Sequence, residues 1–155
     1  MQLTQFSDIG LRLLMYLAKQ NRTAPAITMA EVAKQFDFPR NHLAKVSVKL
    51  IQHGFVSSVR GRSGGLSLSK LPSLILIGDV VRILEGRNSV IDCDKLECKL
   101  KNTCELKSVL NKAYQAFFNV LNENTLEDVI QGSAGKALSD MHNGFLPIYL
   151  QTAVV

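Results

Sequence analysis

The stretch that decides the fold is TMAEVAKQFDFPRNHLAKVSVKLIQHGFVSSVRGRSGGLSL, residues 28–68. Thr28 and Glu31 have the spacing of a capping box, in which the threonine hydroxyl accepts from the third backbone N–H of a helix and the glutamate reaches back. That helix is short, and a tight turn containing Pro39 follows it. Because proline is tolerated in the first turn of a helix, the turn leads into a second helix, predicted over 39–52. The pair indicates a helix-turn-helix.

Two short strands are predicted after the second helix, over 55–59 and 66–68, because apolar and polar residues alternate there. Between them lies RGRSGG, residues 60–65, a glycine-rich turn with two arginines. A helix-turn-helix followed by a basic hairpin is typical of a winged helix. With amphipathic helices predicted on either side, over 4–19 and 74–84, we expect a mainly α fold. Its first part, residues 1–85, is predicted to be a winged helix-turn-helix DNA-binding domain.

The rest of the chain divides into three predicted segments. Residues 86–104 hold the three cysteines and show no sustained period, so they are interpreted as a cluster-binding loop. Residues 105–131 are predicted to form a long C-terminal dimerisation helix and a final turn, since proteins with one such DNA-binding module usually pair with a copy of themselves. The alternative is that this helix packs on its own domain. Residues 132–155, glycine-rich and then apolar, are predicted to be a mobile or unassigned tail.

Charge is distributed unevenly along the chain. Residues 1–70 contain 10 Lys/Arg and 3 Asp/Glu, whereas residues 71–155 contain 8 and 10. A basic first half indicates an anionic partner, most simply double-stranded DNA. Apolar runs are too short for a membrane span and the N-terminus lacks a basic signal region, so a cytoplasmic protein is expected. The absence of a phosphate loop, triad or paired-carboxylate motif argues against an enzyme.

The residues predicted to contact DNA lie on the second helix and on the hairpin tip. The N-terminal end of the second helix usually reaches base edges in the major groove, and lysines further along it suit phosphates. Arginines in a glycine-rich tip suit the backbone or a narrow minor groove. A threonine at a helix N-terminus can hold a phosphate, although capping alone explains it. The predicted DNA contacts are Thr28, Arg40, Asn41, His42, Lys45, Lys49, Arg60, Arg62, Ser63 and Gly64.

The cysteines have the spacing Cys93-x4-Cys98-x5-Cys104. Structural zinc prefers tighter Cys pairs with four protein ligands, whereas wider spacing in a loop suits an iron–sulfur cluster. Three thiolates leave one iron of a four-iron cluster without a protein ligand. Three alternatives remain open: inert buried cysteines, a zinc site and a thiol redox switch. The zinc site would use His42, His53 or His142, and the redox switch would be assisted by Lys95, Lys99 and Lys101.

Five motifs together resemble a family of dimeric winged-helix regulators that carry iron–sulfur clusters. They are FSDIGLR (6–12), PRNHLAKV (39–46), VRGRSGGLSL (59–68), IGDVVRILE (77–85) and the cysteine spacing, in the same order along about residues 1–130. Regulators of cluster biogenesis in that family have C-x5-C-x5-C-x2-H. This chain has four residues in the first gap and Lys107 where that histidine would fall, which favours the nitric-oxide-sensitive repressors of the family.

The resemblance implies a cofactor, a signal and a site. The cofactor would be a [4Fe–4S] cluster, with [2Fe–2S] as the alternative, bound by Cys93, Cys98 and Cys104. Its fourth ligand would be an aspartate early in the first helix of the other subunit, and Asp8 matches that position. The protein would be a homodimeric repressor that binds an inverted-repeat operator and releases it when nitric oxide attacks the cluster. A redox-responsive regulator of cluster biogenesis or oxidative stress, or a DNA-binding module with structural zinc, is the alternative.

Overall fold

The computed structural model describes residues 2–20, 26–59, 61, 64–87, 89–91, 93, 98, 100 and 103–152, with side chains as far as 145. In chain order the helices are α1 (Gln5–Ala18), α2 (Met29–Phe36), α3 (Arg40–Gln52), α4 (Ile77–Glu85), α5 (Glu105–Leu121), α6 (Leu126–Val129) and α7 (Gly132–Thr152). Strands β1 (Val56–Val59) and β2 (Gly65–Leu68) follow α3, and a 3₁₀ turn, Pro72–Leu74, precedes α4. The predicted winged helix-turn-helix is confirmed. Within these residues, no helix is both long and apolar enough to cross a membrane.

Helix α1 forms the centre of the core. Ile9 and Leu13 are fully buried and face α3 and α4, and burying each such side chain contributes about 1.5–3 kcal/mol. Gly10 lies where the three helices meet, because a Cβ there would clash with Leu84 of α4 and lie 3.3 Å from Val46 of α3. A side chain at this position would require the side chains of Leu84 and Val46 to shift.

The wing is an antiparallel hairpin with a third segment along one edge. Val56 pairs with Leu68 and Val59 with Gly65. The backbone of Ile27 exchanges two hydrogen bonds with Leu66, with N···O distances of 3.2 and 2.7 Å. Gly65 permits this approach, since a Cβ there would lie 2.5 Å from the Ile27 carbonyl oxygen. The segment before α2 thus fixes the wing against the helix-turn-helix.

The capping box predicted at α2 is half right. The Thr28 hydroxyl accepts from the backbone N–H of Glu31 at 3.1 Å, as expected. The Glu31 carboxylate, however, accepts from the hydroxyl of Tyr16 at 2.8 Å. Tyr16 is buried in α1, so leaving its hydroxyl without an acceptor would cost more free energy than leaving a backbone N–H at a helix end without one. A complete box does form at α6, between Thr125 and Asp128.

Within the segment predicted to be a mobile or unassigned tail, residues 132–155, the structure has the helix α7, Gly132–Thr152. Its glycines and polar residues have low helix propensity, but tertiary contacts override propensity. Leu138 is 6% exposed and packs in the core. The ring of His142 stacks on Tyr16, and Gln35 of α2 donates to the carbonyl oxygen of Met141 at 2.9 Å.

Candidate DNA interface and cysteine segment

Helix α3 presents a polar face away from the core. Leu43, Val46 and Leu50 are fully buried on one side. By helical geometry Asn41 and Lys45 lie on the opposite side, where both are exposed. The turn before α3 and the wing after it leave this face open, as a recognition helix requires.

Arg40 and His42 are exposed in the first turn of α3, on either side of Asn41. Lys49 is placed differently, since it is half-buried and its ammonium lies 3.3 Å from where a Cβ would stand on Gly86. Gly86 is the C-cap of α4, and a cation is favoured at the C-terminal end of a helix dipole. Lys49 therefore contacts α4, and its predicted phosphate contact stays a prediction.

Sequence reasoning missed Val48 as part of the recognition face. Its side chain is 54% exposed, and it follows Lys45 by one turn on the side opposite the core. The helical period contained the signal, because the apolar positions that face the core exclude residue 48. An exposed valine on a recognition helix can contact the methyl group of thymine.

At the wing tip, Arg60, Arg62 and Ser63 lie outside the described residues. Gly64 is described, and its N–H donates to the carbonyl oxygen of Gly61 at 3.0 Å, which closes a tight turn. Thr28 caps α2 by accepting from the Glu31 N–H, and a hydroxyl that accepts one hydrogen bond can also donate one to a phosphate.

The three cysteines are free thiols. Cys98 is exposed, whereas Cys93 and Cys104 are half-buried. Cys104 is the N-cap of α5, and its side chain makes no capping hydrogen bond. Free thiols at this spacing fit the ligand chemistry of an iron–sulfur cluster. Among the residues that the structure describes, however, no three His, Cys, Asp or Glu side chains are gathered closely enough to hold a metal ion.

The cysteine segment, residues 86–104, is anchored to α1 through Glu85, the residue that precedes it. The Glu85 carboxylate accepts from the Thr4 N–H at 2.8 Å, the Thr4 hydroxyl at 2.9 Å and the Ser7 hydroxyl at 2.6 Å. Burial alone would raise the pKa of Glu85, but these hydrogen bonds and the charge of Arg87 outweigh it and lower that pKa. The Tyr114 hydroxyl of α5 donates to the Arg87 carbonyl oxygen, which ties Arg87 to α5. Nothing local in the sequence indicated this anchor, because Ser7 and Glu85 are 78 residues apart.

Asp8, the aspartate that the family resemblance implies as a ligand, lies in the first turn of α1. Its carboxylate accepts from Arg12 Nε at 2.9 Å, and the two side chains are 48% and 53% exposed. An exposed ion pair of this kind contributes little stability, so the carboxylate can exchange its partner cheaply. Ser7, the residue before it, is fully buried under Glu85. The structure therefore holds Asp8 at the surface on a fixed backbone.

The contacts described for the three histidines considered as zinc ligands do not include a cysteine. His42 is exposed on α3, and His53 is the C-cap of that helix. His142 Nε2 lies 2.9 Å from the carbonyl oxygen of Tyr16. The described part of the chain therefore gives the zinc alternative no gathered ligand set.

Helix α5 has one buried face and one apolar face that is exposed in the part of the chain that the structure describes. Tyr114 and Phe118 are 4% and 0% exposed, and they pack towards α4. A second set of apolar side chains is exposed at spacings of three, four, three and four residues, the pattern of a helix–helix seam. We call it the α5 seam: Leu106, Val109, Ala113, Ala116 and Val120. Leu106, Val109 and Val120 are 60%, 61% and 59% exposed.

Comparison with known proteins agrees with this architecture. The family model for Rrf2, an iron-dependent transcriptional regulator, matches residues 3–132. The HTH-type transcriptional regulator NsrR of Bacillus licheniformis is 40% identical over 133 residues, which cover 84% of this chain and 92% of that protein. These relatives are regulators, which confirms the prediction that the chain is not an enzyme.

Two solved structures are similar over most of their length. The global cysteine regulator CymR of B. subtilis has a TM-score of 0.67 and 27% identity, covering 83% of this chain and 95% of that one. IscR of T. potens has a TM-score of 0.66 and 26% identity, covering 84% of this chain and 86% of that one. The family match, the NsrR relative and the winged-helix fold together show that the chain belongs to the Rrf2 family of transcriptional regulators.

Proposed function

We propose that the protein is a homodimeric repressor that senses nitric oxide through an iron–sulfur cluster. Cys93, Cys98 and Cys104 would hold the cluster, and Asp8 of the partner subunit would complete it. The observation that carries the proposal is the anchoring of the cysteine segment. The segment follows Glu85, which holds the first turn of α1 beside Asp8, and it ends at Cys104, the N-cap of the helix that carries the α5 seam.

DNA binding is supported by the charge and exposure of α3 and the wing. Asn41 and Lys45 point away from the core on a helix that follows a tight turn. The basic balance of residues 1–70 suits the phosphate backbone. Two such modules related by a two-fold axis would bind an inverted repeat with half-sites about one helical turn apart.

Dimerisation is supported by the α5 seam. A run of exposed apolar side chains along a helix usually marks an interface. Alanines at the centre of the seam permit a close approach of two helices, and Leu106, Val109 and Val120 supply most of the apolar area. Pairing at α5 would place the cysteine segment of each protomer next to the dimer axis, because Cys104 is the residue before this helix.

A change at the cysteine segment would reach DNA through the chain's own contacts. When bound, the cluster would supply an iron site that is open to a diatomic ligand. Once released from a cluster, Asp8 has Arg12 as a ready partner, as in this structure. The cross-subunit tie would then be lost and the two recognition helices would no longer match both half-sites. A hundredfold loss of affinity requires only about 2.7 kcal/mol of difference between the two states.

The test is anaerobic purification followed by iron and zinc analysis, a visible spectrum with and without nitric oxide, and an operator-binding assay on the same sample. We expect a coloured protein with about four irons per subunit, the content of one [4Fe–4S] cluster, and loss of operator binding on exposure to nitric oxide. A colourless protein with stoichiometric zinc would contradict the proposal. So would a protein that binds its operator equally well after complete removal of iron.

The matched variants are Cys98→Ser and Thr103→Ser. Cys98→Ser removes an exposed candidate ligand, so it should abolish iron binding and weaken operator binding while the dimer stays folded. Thr103→Ser changes an exposed neighbour in the same segment and should behave like wild type. A Cys98→Ser variant that retains full operator binding would remove the cysteine segment from the switch.

A further inference from the structure

Helix α7 begins where the family match ends, at residue 132, and it lies against the DNA-binding domain. The rings of His142 and Tyr16 are stacked, with centroids 3.9 Å apart and an angle of 16°. His142 Nε2 lies 2.9 Å from the carbonyl oxygen of Tyr16, and Nδ1 lies 3.8 Å from the Glu31 carboxylate. The His142 and Glu31 side chains are only 14% and 13% exposed. One imidazole therefore contacts both α1 and α2.

Further contacts follow α2 from its first turn to its last. Gln35 Nε2 donates to the carbonyl oxygen of Met141 at 2.9 Å, and the Lys34 ammonium lies 5.9 Å from the centre of the Phe145 ring. Glu31, Lys34 and Gln35 are spaced by three and four residues, so they share one face of α2. Helix α7 contacts that face through His142, Met141 and Phe145, although Lys34 stays exposed, and Val32 and Ala33 on the other side are buried.

Helix α2 depends on such cover because it is short. It has eight residues, all of them described, and of these Val32 and Ala33 are the buried ones. Helices shorter than about 12–15 residues are marginal without tertiary support. The position of α2 also affects α3, since the Ser47 hydroxyl of α3 lies 3.3 Å from the sulfur of Met29. Whatever holds α2 therefore helps to hold the recognition helix.

We propose that α7 is a brace, with His142 as its positioning residue, which holds α2 and the helix-turn-helix in the orientation that binds DNA. This inference rests on the DNA-binding half of the proposed function and is independent of the cluster. His142 would touch no DNA. It would act through Glu31 and Tyr16, which connect the brace to the first turn of α2.

The experiment uses the full-length dimer and four variants: His142→Ala, His142→Phe, Gln35→Ala and, as control, Asn143→Ala. Asn143 is exposed on the same helix. Amide hydrogen exchange is measured for each helix, because local opening shows which element loses support. Affinity is measured for a duplex selected with the wild type from a randomised pool. His142→Phe keeps an aromatic ring on Tyr16 but loses the polar contacts.

We expect the amides of α2 to exchange at least tenfold faster in His142→Ala, with α4 and α5 unchanged, and duplex affinity to fall three- to tenfold. His142→Phe should recover part of the protection, and Asn143→Ala should match wild type. Equal protection of α2 in His142→Ala and the control would overturn the brace. Uniform loss of protection in all helices, or a loosened α2 with unchanged affinity, would overturn its positioning role.

Two outcomes of this experiment need a second measurement. If His142→Ala does not fold, Gln35→Ala tests the same brace with the imidazole in place, and it should give a smaller change of the same kind. If the wild type selects no duplex, the proposed function fails. The exchange data then still support or overturn the bracing of α2 by themselves.

Discussion

Replacing Val109 by serine should weaken the dimer strongly. Val109 is 61% exposed within its own chain and belongs to the α5 seam, so pairing of two α5 helices would bury it. Serine removes the apolar side chain, and its helix propensity is similar to that of valine. The monomer should therefore fold as before.

The size of the effect follows from the exposed fraction. Full burial of a valine side chain contributes about 1.5–3 kcal/mol, so the 61% that remains open is worth about 1–2 kcal/mol. A two-fold interface contains the residue twice, which gives about 2–4 kcal/mol per dimer. The dimer dissociation constant should rise by about 30- to 900-fold.

Sedimentation velocity over a range of protein concentrations measures this constant directly. The matched control is Gln115→Ser, an exposed residue of α5 on a different face, which should leave the constant unchanged. Operator affinity should fall with the dimer in Val109→Ser and not in the control. Dissociation constants of the two variants within about threefold of each other would show that the α5 seam is not the interface.

Three further predictions concern other parts of the molecule. Lys45→Ala should weaken operator binding by a similar factor for all sequences and reduce the slope of log affinity against log salt by about one, and an unchanged slope would exclude a phosphate contact. Val48→Ala should lose the preference for thymine over uracil at one operator position, checked with uracil-substituted duplexes; equal discrimination in both proteins would exclude a methyl contact. The pKa of Glu85 is lowered in the folded state, so its stabilising contribution is present above its ordinary pKa of 4.5 and is lost as pH falls below that value. The free energy of unfolding, measured with urea between pH 3 and pH 7, should therefore fall less on acidification in Glu85→Gln than in wild type. If it depends on pH in the same way in both proteins, the role of the Glu85 hydrogen bonds is contradicted.

Local signals in the sequence predicted the elements well. The Thr28 cap, the proline before α3 and the apolar period of α5 all act within one or two turns, and the observed bounds differ from the predicted ones by only a few residues. The glycine-rich hairpin likewise predicted the wing. Such features need no knowledge of the rest of the fold.

Local sequence patterns did not predict contacts between residues that are far apart in the sequence. Glu31 satisfies the capping pattern, but the buried hydroxyl of Tyr16 takes its carboxylate instead. Helix α7 has a composition typical of a loop, and it is held by a ring contact between residues that are 126 positions apart. The Glu85 anchor depends on Ser7 in the same way. Each case is decided by burial, which a local pattern does not contain.

The Glu85 anchor and the crossing at Gly10 have a joint mechanical consequence. Glu85 in the last turn of α4 accepts three hydrogen bonds from Thr4 and Ser7 at the start of α1, and at Gly10 the side chains of Leu84 in α4 and Val46 in α3 both lie close to α1. A packed interior of this kind transmits displacement because it has little compressibility. We therefore expect a displacement of the last turn of α4 to move α1 and, through α1, the recognition helix.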